Sequence, residues 1–194
     1  CNETDIADAL RNTNFEVGGT VQLAVVGSIQ PRKNQMILLR LAQILIELEI
    51  NFKIHVIGPT VDPNYAQKFR IGIQQNGLSR HILLHGHRND YLKMMANCDL
   101  ILQPSLEEGV SRVLREALAL SKPIVAFSIS GTTSLLTHGV NSHLANTNDI
   151  LGLVNGIAKI ATSPKIYKEM SLQAAQTYQE QCSLKKYISH FKDI

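Results

Sequence analysis

The chain of 194 residues contains no tryptophan, and only 5% of its residues are aromatic. Proteins that bind nucleic acid usually concentrate lysine and arginine on one surface and add aromatic side chains on which bases stack. Here the formal net charge is only +3 at pH 7, and the cationic residues are spread along the chain. We therefore expect no nucleic-acid partner.

Cysteine is also scarce, with Cys1, Cys98 and Cys182 lying far apart in the sequence. Disulfide frameworks are usually denser and even in number, so this pattern favours a reducing cytoplasm. No pair of cysteine or histidine residues has the spacing of metal ligands. We therefore expect no metal site and no bound cofactor.

Long apolar runs are missing as well. A membrane-spanning helix needs roughly 18–20 consecutive apolar residues, whereas the longest candidate, residues 38–50, contains Arg40, Gln43, Glu47 and Glu49. The first twenty residues are polar and do not resemble a signal peptide. Because the chain begins with cysteine, we interpret it as part of a longer protein.

What is present is an alternation of short β-branched runs with longer amphipathic stretches, which indicates βαβ units around a parallel sheet. The runs are VQLAVVG (21–27), FKIHVIG (52–58), ILLHG (82–86), DLILQPS (99–105), PIVAFS (123–128) and the weaker SHLAN (142–146). Helices are predicted over residues 34–50 and 62–76, and the second is expected to end at Gly77 in the left-handed conformation. A third helix is predicted to be capped by Asn89 or Asp90, and a fourth to begin near Ser111. Two or three further helices are predicted after residue 149.

The pattern predicts an α/β fold with a Rossmann-like, doubly wound parallel sheet of about six strands and helices on both faces. With 44% hydrophobic residues, the chain is long enough for one such domain. We assign residues 20–194 to it and residues 1–19 to a linker from a missing amino-terminal domain.

In a parallel sheet, ligands bind beyond the carboxyl ends of the strands, and the loop after the first strand has suitable residues. Gly27 lets the backbone approach a ligand, and Arg32 and Lys33 precede a helix amino terminus, where N–H groups favour anions. The loop lacks the glycine patterns of dinucleotide-binding and phosphate-binding loops. Taken alone, it also fits a solvated basic loop.

The loop after the fourth strand has two carboxylates eight positions apart, Glu108 and Glu116. Gly109 permits a tight approach, and Ser111 can cap the next helix. The two carboxylates can bracket a ligand and accept hydrogen bonds from sugar hydroxyls. In the alternative interpretation, Glu108 interacts with the helix dipole and Glu116 pairs with Arg112 one turn away.

Together these loops resemble the E-x7-E signature of retaining glycosyltransferases with the GT-B architecture. The motif lies within PSLEEGVSRVLREALALSKPIVA, and the supporting segments occur in order: Gly27 to Lys33, Leu84 to Tyr91, Gly131, and His138 to Asn141. The resemblance covers residues 20–194, including the helical tail at 183–191. It implies the carboxyl-terminal, donor-binding half of a GT-B enzyme.

The resemblance implies roles for individual residues. Lys33 would contact the donor diphosphate and stabilise the leaving nucleotide, Glu108 would hold sugar hydroxyls, and Glu116 would bind the ribose; Lys33 and Glu108 are therefore the candidate catalytic residues. The full set of implied donor-binding residues is Gly27, Ser28, Arg32, Lys33, His87, Arg88, Glu108, Gly109, Val110, Ser111, Arg112, Glu116, Gly131 and Thr132. The chain departs from the family pattern at Ser28, where arginine is frequent, at Val110-Ser111, where Phe-Gly is frequent, and at Ser134, where glutamate is frequent.

The implied enzyme transfers a hexose from a nucleoside diphosphate sugar to a carbohydrate or lipid-linked acceptor, with retention. Metal should be dispensable, because Lys33 and a helix amino terminus supply the positive charge. The missing domain would bind the acceptor, so this domain should bind donor without turning it over. We expect a cytoplasmic protein with peripheral association at the inner membrane surface.

Other functions stay open at this stage. A nicotinamide-dependent dehydrogenase fits poorly, because the second strand ends Ile57-Gly58-Pro59 without the acid that binds a ribose. A non-catalytic or regulatory module could keep the same fold and donor pocket. A GT-B epimerase or phosphorylase is a further alternative, since a fold alone does not determine the chemistry.

Overall fold

The computed structural model describes residues 19–109 and 111–182, and its centre is a six-stranded, fully parallel sheet in the order β3-β2-β1-β4-β5-β6. This is the strand order of the Rossmann fold, so the predicted fold class is confirmed. The strands are β1 Val21–Val26, β2 Phe52–Ile57, β3 Ile82–Gly86, β4 Leu100–Gln103, β5 Ile124–Phe127 and β6 Ser142–Ala145. All six coincide with predicted runs.

Seven helices connect and cover these strands in the described part of the chain. They are α1 Ile37–Glu47, α2 Pro63–Gln75, α3 Tyr91–Ala96, α4 Arg112–Ala119, α5 Ser130–Thr133, α6 Ile150–Ala161 and α7 Pro164–Thr177. Short 3-10 turns occur at Pro31–Lys33 and Leu78–Arg80, and a π-helical turn follows at Tyr178–Cys182. The four-residue α5 is absent from the sequence prediction. Most of the predicted linker and the tail at 183–191 lie outside the described residues.

Both faces of the sheet are covered, because alternate residues of each strand point to opposite sides. On one face Leu23 and Val25 pack in a core cluster with residues of α1, α2 and α6. On the other, Ala24 and Val26 pack with residues of α3, α4 and α7. The sheet is therefore doubly wound, as predicted. None of the helices within the described ranges is both long and apolar enough to cross a membrane.

The first helix starts later than predicted. Residues 31–33 form a 3-10 turn, and Asn34 follows in the left-handed conformation with φ 55°. An α-helix cannot pass through a left-handed residue, so α1 begins only at Ile37. At the other end Glu49 is left-handed with φ 56°, which ends the helix before the predicted Ile50.

The strand order places the site-bearing loops side by side. Strand β1 pairs with β2 on one side and with β4 on the other. The crossovers from β1 therefore run in one direction along the sheet, and those from β4 run in the other. Ligands of open α/β sheets bind in the crevice at such a switch point. The loops after β1 and β4 are the two that the sequence singles out.

Candidate functional site

The loop after β1 is held close to its neighbours by glycine. Gly27 and Gly58 end β1 and β2 with φ values of 149° and 153°. A Cβ atom on Gly58 would lie 2.1 Å from the carbonyl oxygen of Gly27, so a larger residue cannot occupy this position. A Cβ on Gly27 would lie 3.4 Å from Cε of Lys33. A side chain at Gly27 would therefore meet the stem of Lys33.

Polar side chains fix the course of the same loop. The buried Gln35 donates a 2.9 Å hydrogen bond from its Nε2 to the carbonyl oxygen of Ser28. The amide of Gln30 donates 2.5 Å to Oγ of Ser28. Farther along, the backbone N–H of Leu106 donates 2.9 Å to the carbonyl oxygen of Arg32, whose side chain is exposed. This last bond joins the loops after β1 and β4.

Lys33 and Glu108 meet across the crevice. Nζ of Lys33 lies 2.5 Å from Oε1 of Glu108, and the two side chains are only 13% and 6% exposed. The same oxygen accepts a 2.5 Å hydrogen bond from the amide of Gln103 at the end of β4. Since a buried ion pair is stabilising only when further hydrogen bonds satisfy it, Gln103 is part of the site. Sequence reasoning missed it, although an amide in an otherwise apolar strand is a signal.

Glu116 lies on α4, whose start is fixed by Ser111. Oγ of Ser111 accepts a 3.4 Å hydrogen bond from the N–H of Leu114, so the predicted cap is confirmed. The Glu116 side chain is 11% exposed, and its Oε1 lies 3.5 Å from Nε of the exposed Arg112. The pairing proposed in the alternative interpretation is therefore present.

Glu116 has a second and shorter contact that the sequence did not indicate. The hydroxyl of Tyr91, the first residue of α3, donates a 2.7 Å hydrogen bond to the same Oε1. The other oxygen, Oε2, is buried and has no hydrogen-bond partner among the described residues. Burial raises the pKa of Tyr91 to about 12, and the hydrogen bond to Glu116 adds to the effect.

The start of α5 packs against the loop that bears Glu108. A Cβ atom on Gly131 would lie 2.2 Å from the carbonyl oxygen of Glu108. The fully buried Thr132 places its hydroxyl 2.7 Å from the carbonyl oxygen of Phe127 and 2.8 Å from that of Ile129. Its hydroxyl therefore stabilises the loop after β5, and Gly131 brings that loop to the crevice.

The residues after β3 are at the edge of this region. His87 and Arg88 are exposed, and the guanidinium of Arg88 donates two 2.8 Å hydrogen bonds to the carboxylate of Asp90. Asp90 is the cap residue of α3, as predicted, but it makes no side-chain cap bond, and its carboxylate bonds Arg88 instead. A Cβ atom on Gly109 would meet no neighbouring atom within 4 Å, whereas Val110 is outside the described residues.

Within 19–109 and 111–182, no three histidine, cysteine or acidic residues are grouped to hold a metal ion.

Comparison with known proteins gives matches over most of the chain. The family model described as glycosyl transferases group 1 matches residues 7–177. The chain is 26% identical over 171 residues to the UDP-Gal:alpha-D-GlcNAc-diphosphoundecaprenol alpha-1,3-galactosyltransferase of Escherichia coli, covering 88% of this chain and 44% of that enzyme. It is 22% identical to the poly(ribitol-phosphate) alpha-N-acetylglucosaminyltransferase of Staphylococcus aureus, covering 86% and 35%. The chain therefore spans less than half the length of these relatives.

Solved structures show the same fold. Anabaena HepE in complex with UDP and glucose superimposes with a TM-score of 0.83 at 21% identity, over all of this chain and 52% of that one. The carboxyl-terminal domain of a glycosyl transferase group 1 family protein, LpcC of Francisella tularensis, superimposes with a TM-score of 0.76 at 14% identity, over 94% of both chains. The fold is thus that of the carboxyl-terminal half of GT-B glycosyltransferases, and the chain belongs to the glycosyl transferases group 1 family.

Proposed function

We propose that the protein containing this chain transfers a hexose from a nucleoside diphosphate sugar to a carbohydrate or lipid-linked acceptor, with retention. The observation that carries the proposal is the meeting of Lys33 and Glu108 at the switch point of the sheet, 2.5 Å apart. At this position the cation would bind the diphosphate of the donor, and the carboxylate would bind the hydroxyl groups of its sugar. The whole enzyme's acceptor site would lie in a domain beyond this chain.

The diphosphate would bind between Lys33 and the amino terminus of α4. The first N–H groups of a helix have no partner within the helix and form an anion site. Positive groups fixed at the leaving diphosphate stabilise the charge that develops in the transition state, so Lys33 is the proposed catalytic cation. The backbone at Gly27, Ser28, Gly109, Ser111 and Arg112 would line the phosphates, and the exposed Arg32 would add charge.

The two carboxylates would bind the hydroxyls of the donor. Glu108 uses Oε1 for Lys33 and Gln103, and its Oε2 would accept from the transferred sugar. Glu116 has a buried oxygen without a partner in the described part of the chain. A ribose hydroxyl would satisfy this oxygen. The backbone of His87 and Arg88 would frame the base, and the segments at Val110 and at Gly131-Thr132 would contact the sugar or phosphates.

The names of two relatives motivate the acceptor class. The Escherichia coli relative is named for a diphosphoundecaprenol acceptor and the Staphylococcus aureus relative for poly(ribitol-phosphate). A lipid-linked acceptor would bring the enzyme to the cytoplasmic membrane surface. Because Lys33 supplies the charge at the diphosphate, the reaction would proceed without a metal ion.

A donor screen with the complete protein tests this function. UDP-, GDP- and ADP-sugars are incubated with lipid-linked and oligosaccharide acceptors, and products are identified by mass with and without EDTA. We expect the acceptor to gain the mass of one hexose with one class of donor, and we expect EDTA to leave the yield unchanged. If the anomeric bond of the donor is axial, NMR should show an axial anomeric bond in the product. Absence of transfer from every donor, or an inverted anomer, would contradict the proposal.

A non-catalytic donor-binding module is the second candidate. It is favoured by Ser28, which stands where the family frequently has arginine, so one cation for the phosphates is absent from the loop. The same product assay separates the two candidates. A non-catalytic module would bind the nucleotide sugar but leave it intact, without transfer of the sugar to an acceptor or to water.

A further inference from the structure

Tyr91 links two elements that are separate in sequence. It begins α3 directly after the loop that follows β3, whereas Glu116 lies in the middle of α4, 25 positions later. Both helices pack on the same face of the sheet, and the ring of Tyr91 packs against the core cluster there. The 2.7 Å hydrogen bond from its hydroxyl therefore joins two helices of a rigid layer.

This bond restricts the carboxylate of Glu116. A glutamate side chain rotates freely about its last torsion unless one of its oxygens is bonded, because that torsion has a broad energy profile. With Oε1 held by the phenol, the position of Oε2 is restricted as well. Arg112 also approaches Oε1, but at 3.5 Å and with a side chain that is 82% exposed, so it fixes the carboxylate less well.

The free oxygen is unusual for a folded protein. Buried polar atoms are nearly always hydrogen-bonded, because an unsatisfied one costs free energy. Oε2 of Glu116 is buried and has no hydrogen-bond partner in the described part of the chain. Pre-organised groups at a binding site lower the cost of ordering when a ligand arrives. A ligand hydroxyl bound at Glu116 would supply the partner that this oxygen lacks.

We propose that Tyr91 is a positioning residue that orients Glu116 toward a ribose hydroxyl, so that the domain selects ribonucleoside diphosphates over their deoxy analogues. This inference rests on the ribose-binding role of Glu116 in the proposed function. Burial of the phenol keeps the pKa of Tyr91 near 12, so it remains a hydrogen-bond donor at neutral pH. Selectivity then depends on a residue that itself need not touch the nucleotide.

The test measures selectivity instead of affinity alone. UDP, GDP, ADP and the 2′-deoxy and 3′-deoxy analogues of the tightest binder are titrated calorimetrically into the wild type, Tyr91→Phe and Glu116→Gln. Selectivity is the Kd of the deoxy analogue divided by the Kd of the ribonucleotide. Because a hydrogen bond to a charged group discriminates by about tenfold or more, we expect a ratio of that size in the wild type. The ratio should fall to about threefold or less in both variants. Tyr91→Leu also removes the hydroxyl and is the second variant, with the same expected fall in the ratio, if Tyr91→Phe does not fold.

Tyr167→Phe serves as the control, because it removes the hydroxyl of a buried tyrosine near Asp99, which precedes the amino end of β4, whereas the candidate site lies at the carboxyl ends of the strands. Its selectivity should equal that of the wild type. An unchanged ratio in Tyr91→Phe, with the ratio lost in Glu116→Gln, would overturn the positioning role alone. Equal binding of ribose and deoxyribose forms by the wild type, or an unchanged ratio in Glu116→Gln, would contradict the ribose-binding role as well.

Discussion

Nζ of Lys33 lies 2.5 Å from Oε1 of Glu108, although 75 positions separate the two residues. Both side chains are largely buried, and Gln103 donates to the same oxygen. An incoming diphosphate would therefore compete with Glu108 for the ammonium group. Glu108 would be released toward the sugar as Lys33 turns to the phosphates, which couples the two ends of the donor.

From this relationship we expect Lys33→Ala to lower kcat of the complete enzyme by about 100-fold or more, as removal of a transition-state donor does elsewhere. Donor affinity should fall less than about tenfold, because the helix N–H groups still bind the phosphates. Initial rates at saturating donor and a calorimetric Kd give the two values. Lys68→Ala, a change of an exposed lysine on α2, is the control. Equal kcat for Lys33→Ala and the wild type would refute the role of Lys33.

Gly131→Ala should damage the site through the backbone. Its Cβ would lie 2.2 Å from the carbonyl oxygen of Glu108, so the loop with Glu108 must shift. We expect a cost of about 1–3 kcal/mol in the free energy of unfolding and a loss of nucleotide binding of about tenfold. Gly72→Ala is the control, since its Cβ meets only the tip of Leu39. If Gly131→Ala binds the nucleotide as the wild type does, the packing of this loop is not needed for the site.

Two non-glycine residues adopt the left-handed conformation just after helices. Glu49 follows α1 with φ 56°, and Ser121 follows α4 with φ 54°. Each residue takes part in the pair of backbone hydrogen bonds found at helix ends that usually have glycine at this position. At Glu49, its own N–H donates to the carbonyl oxygen of Ile46, and the N–H of Ile50 donates to that of Leu45. Glu49→Gly and Ser121→Gly should each raise the free energy of unfolding by about 0.5–1 kcal/mol.

Urea denaturation measures this effect, and Gly77→Ala is the converse control. Gly77 has φ 66°, so alanine there should lower the free energy of unfolding by about 1 kcal/mol. Destabilisation by glycine at both Glu49 and Ser121 would show that their side chains contribute more than the backbone conformation costs.

We expect Lys122 to make the stability of the protein depend on pH. It is 2% exposed, and burial lowers its pKa from 10.5 to about 8, although Asp99 and Cys98 act in the opposite direction. Below pH 8 the lysine is charged in both folded and unfolded states, and the folded state bears the full cost of burying it. Between pH 8 and 10.5 only the unfolded state holds the proton, so the contribution of Lys122 to stability rises with pH.

Lys122→Met should therefore be more stable than the wild type at pH 7, by up to about 3 kcal/mol. This advantage should shrink as the pH rises from 8 to 10, because the wild type loses its penalty. Urea denaturation of both proteins at pH 7, 8.5 and 10 provides the difference. A stability difference that stays constant over this range would mean that the lysine titrates alike in the folded and unfolded states.

The sequence was most informative about what is local. Alternating apolar runs predicted all six strands, and the motif loops predicted the region where Lys33 and Glu108 meet. The sequence did not predict the start of the first helix, which depends on one backbone angle. Asn34 is left-handed, so α1 begins only after it. The sequence also missed partners that only the fold brings together. Gln103 donates a hydrogen bond to Glu108, and Tyr91 donates one to Glu116 on another helix. The spacing of residues along a single sequence does not predict such contacts.

Calorimetry most directly tests the proposed binding of a nucleoside diphosphate, with its phosphates at Lys33 and the start of α4 and its ribose at Glu116. UDP, GDP and ADP are titrated into the wild-type chain and into Glu116→Ala. One of the three should bind the wild type with Kd below 1 mM, about the −4 kcal/mol of a modest ligand, and about tenfold more weakly to the variant. Failure of all three to bind below millimolar concentration, or equal binding to both proteins, would contradict this assignment.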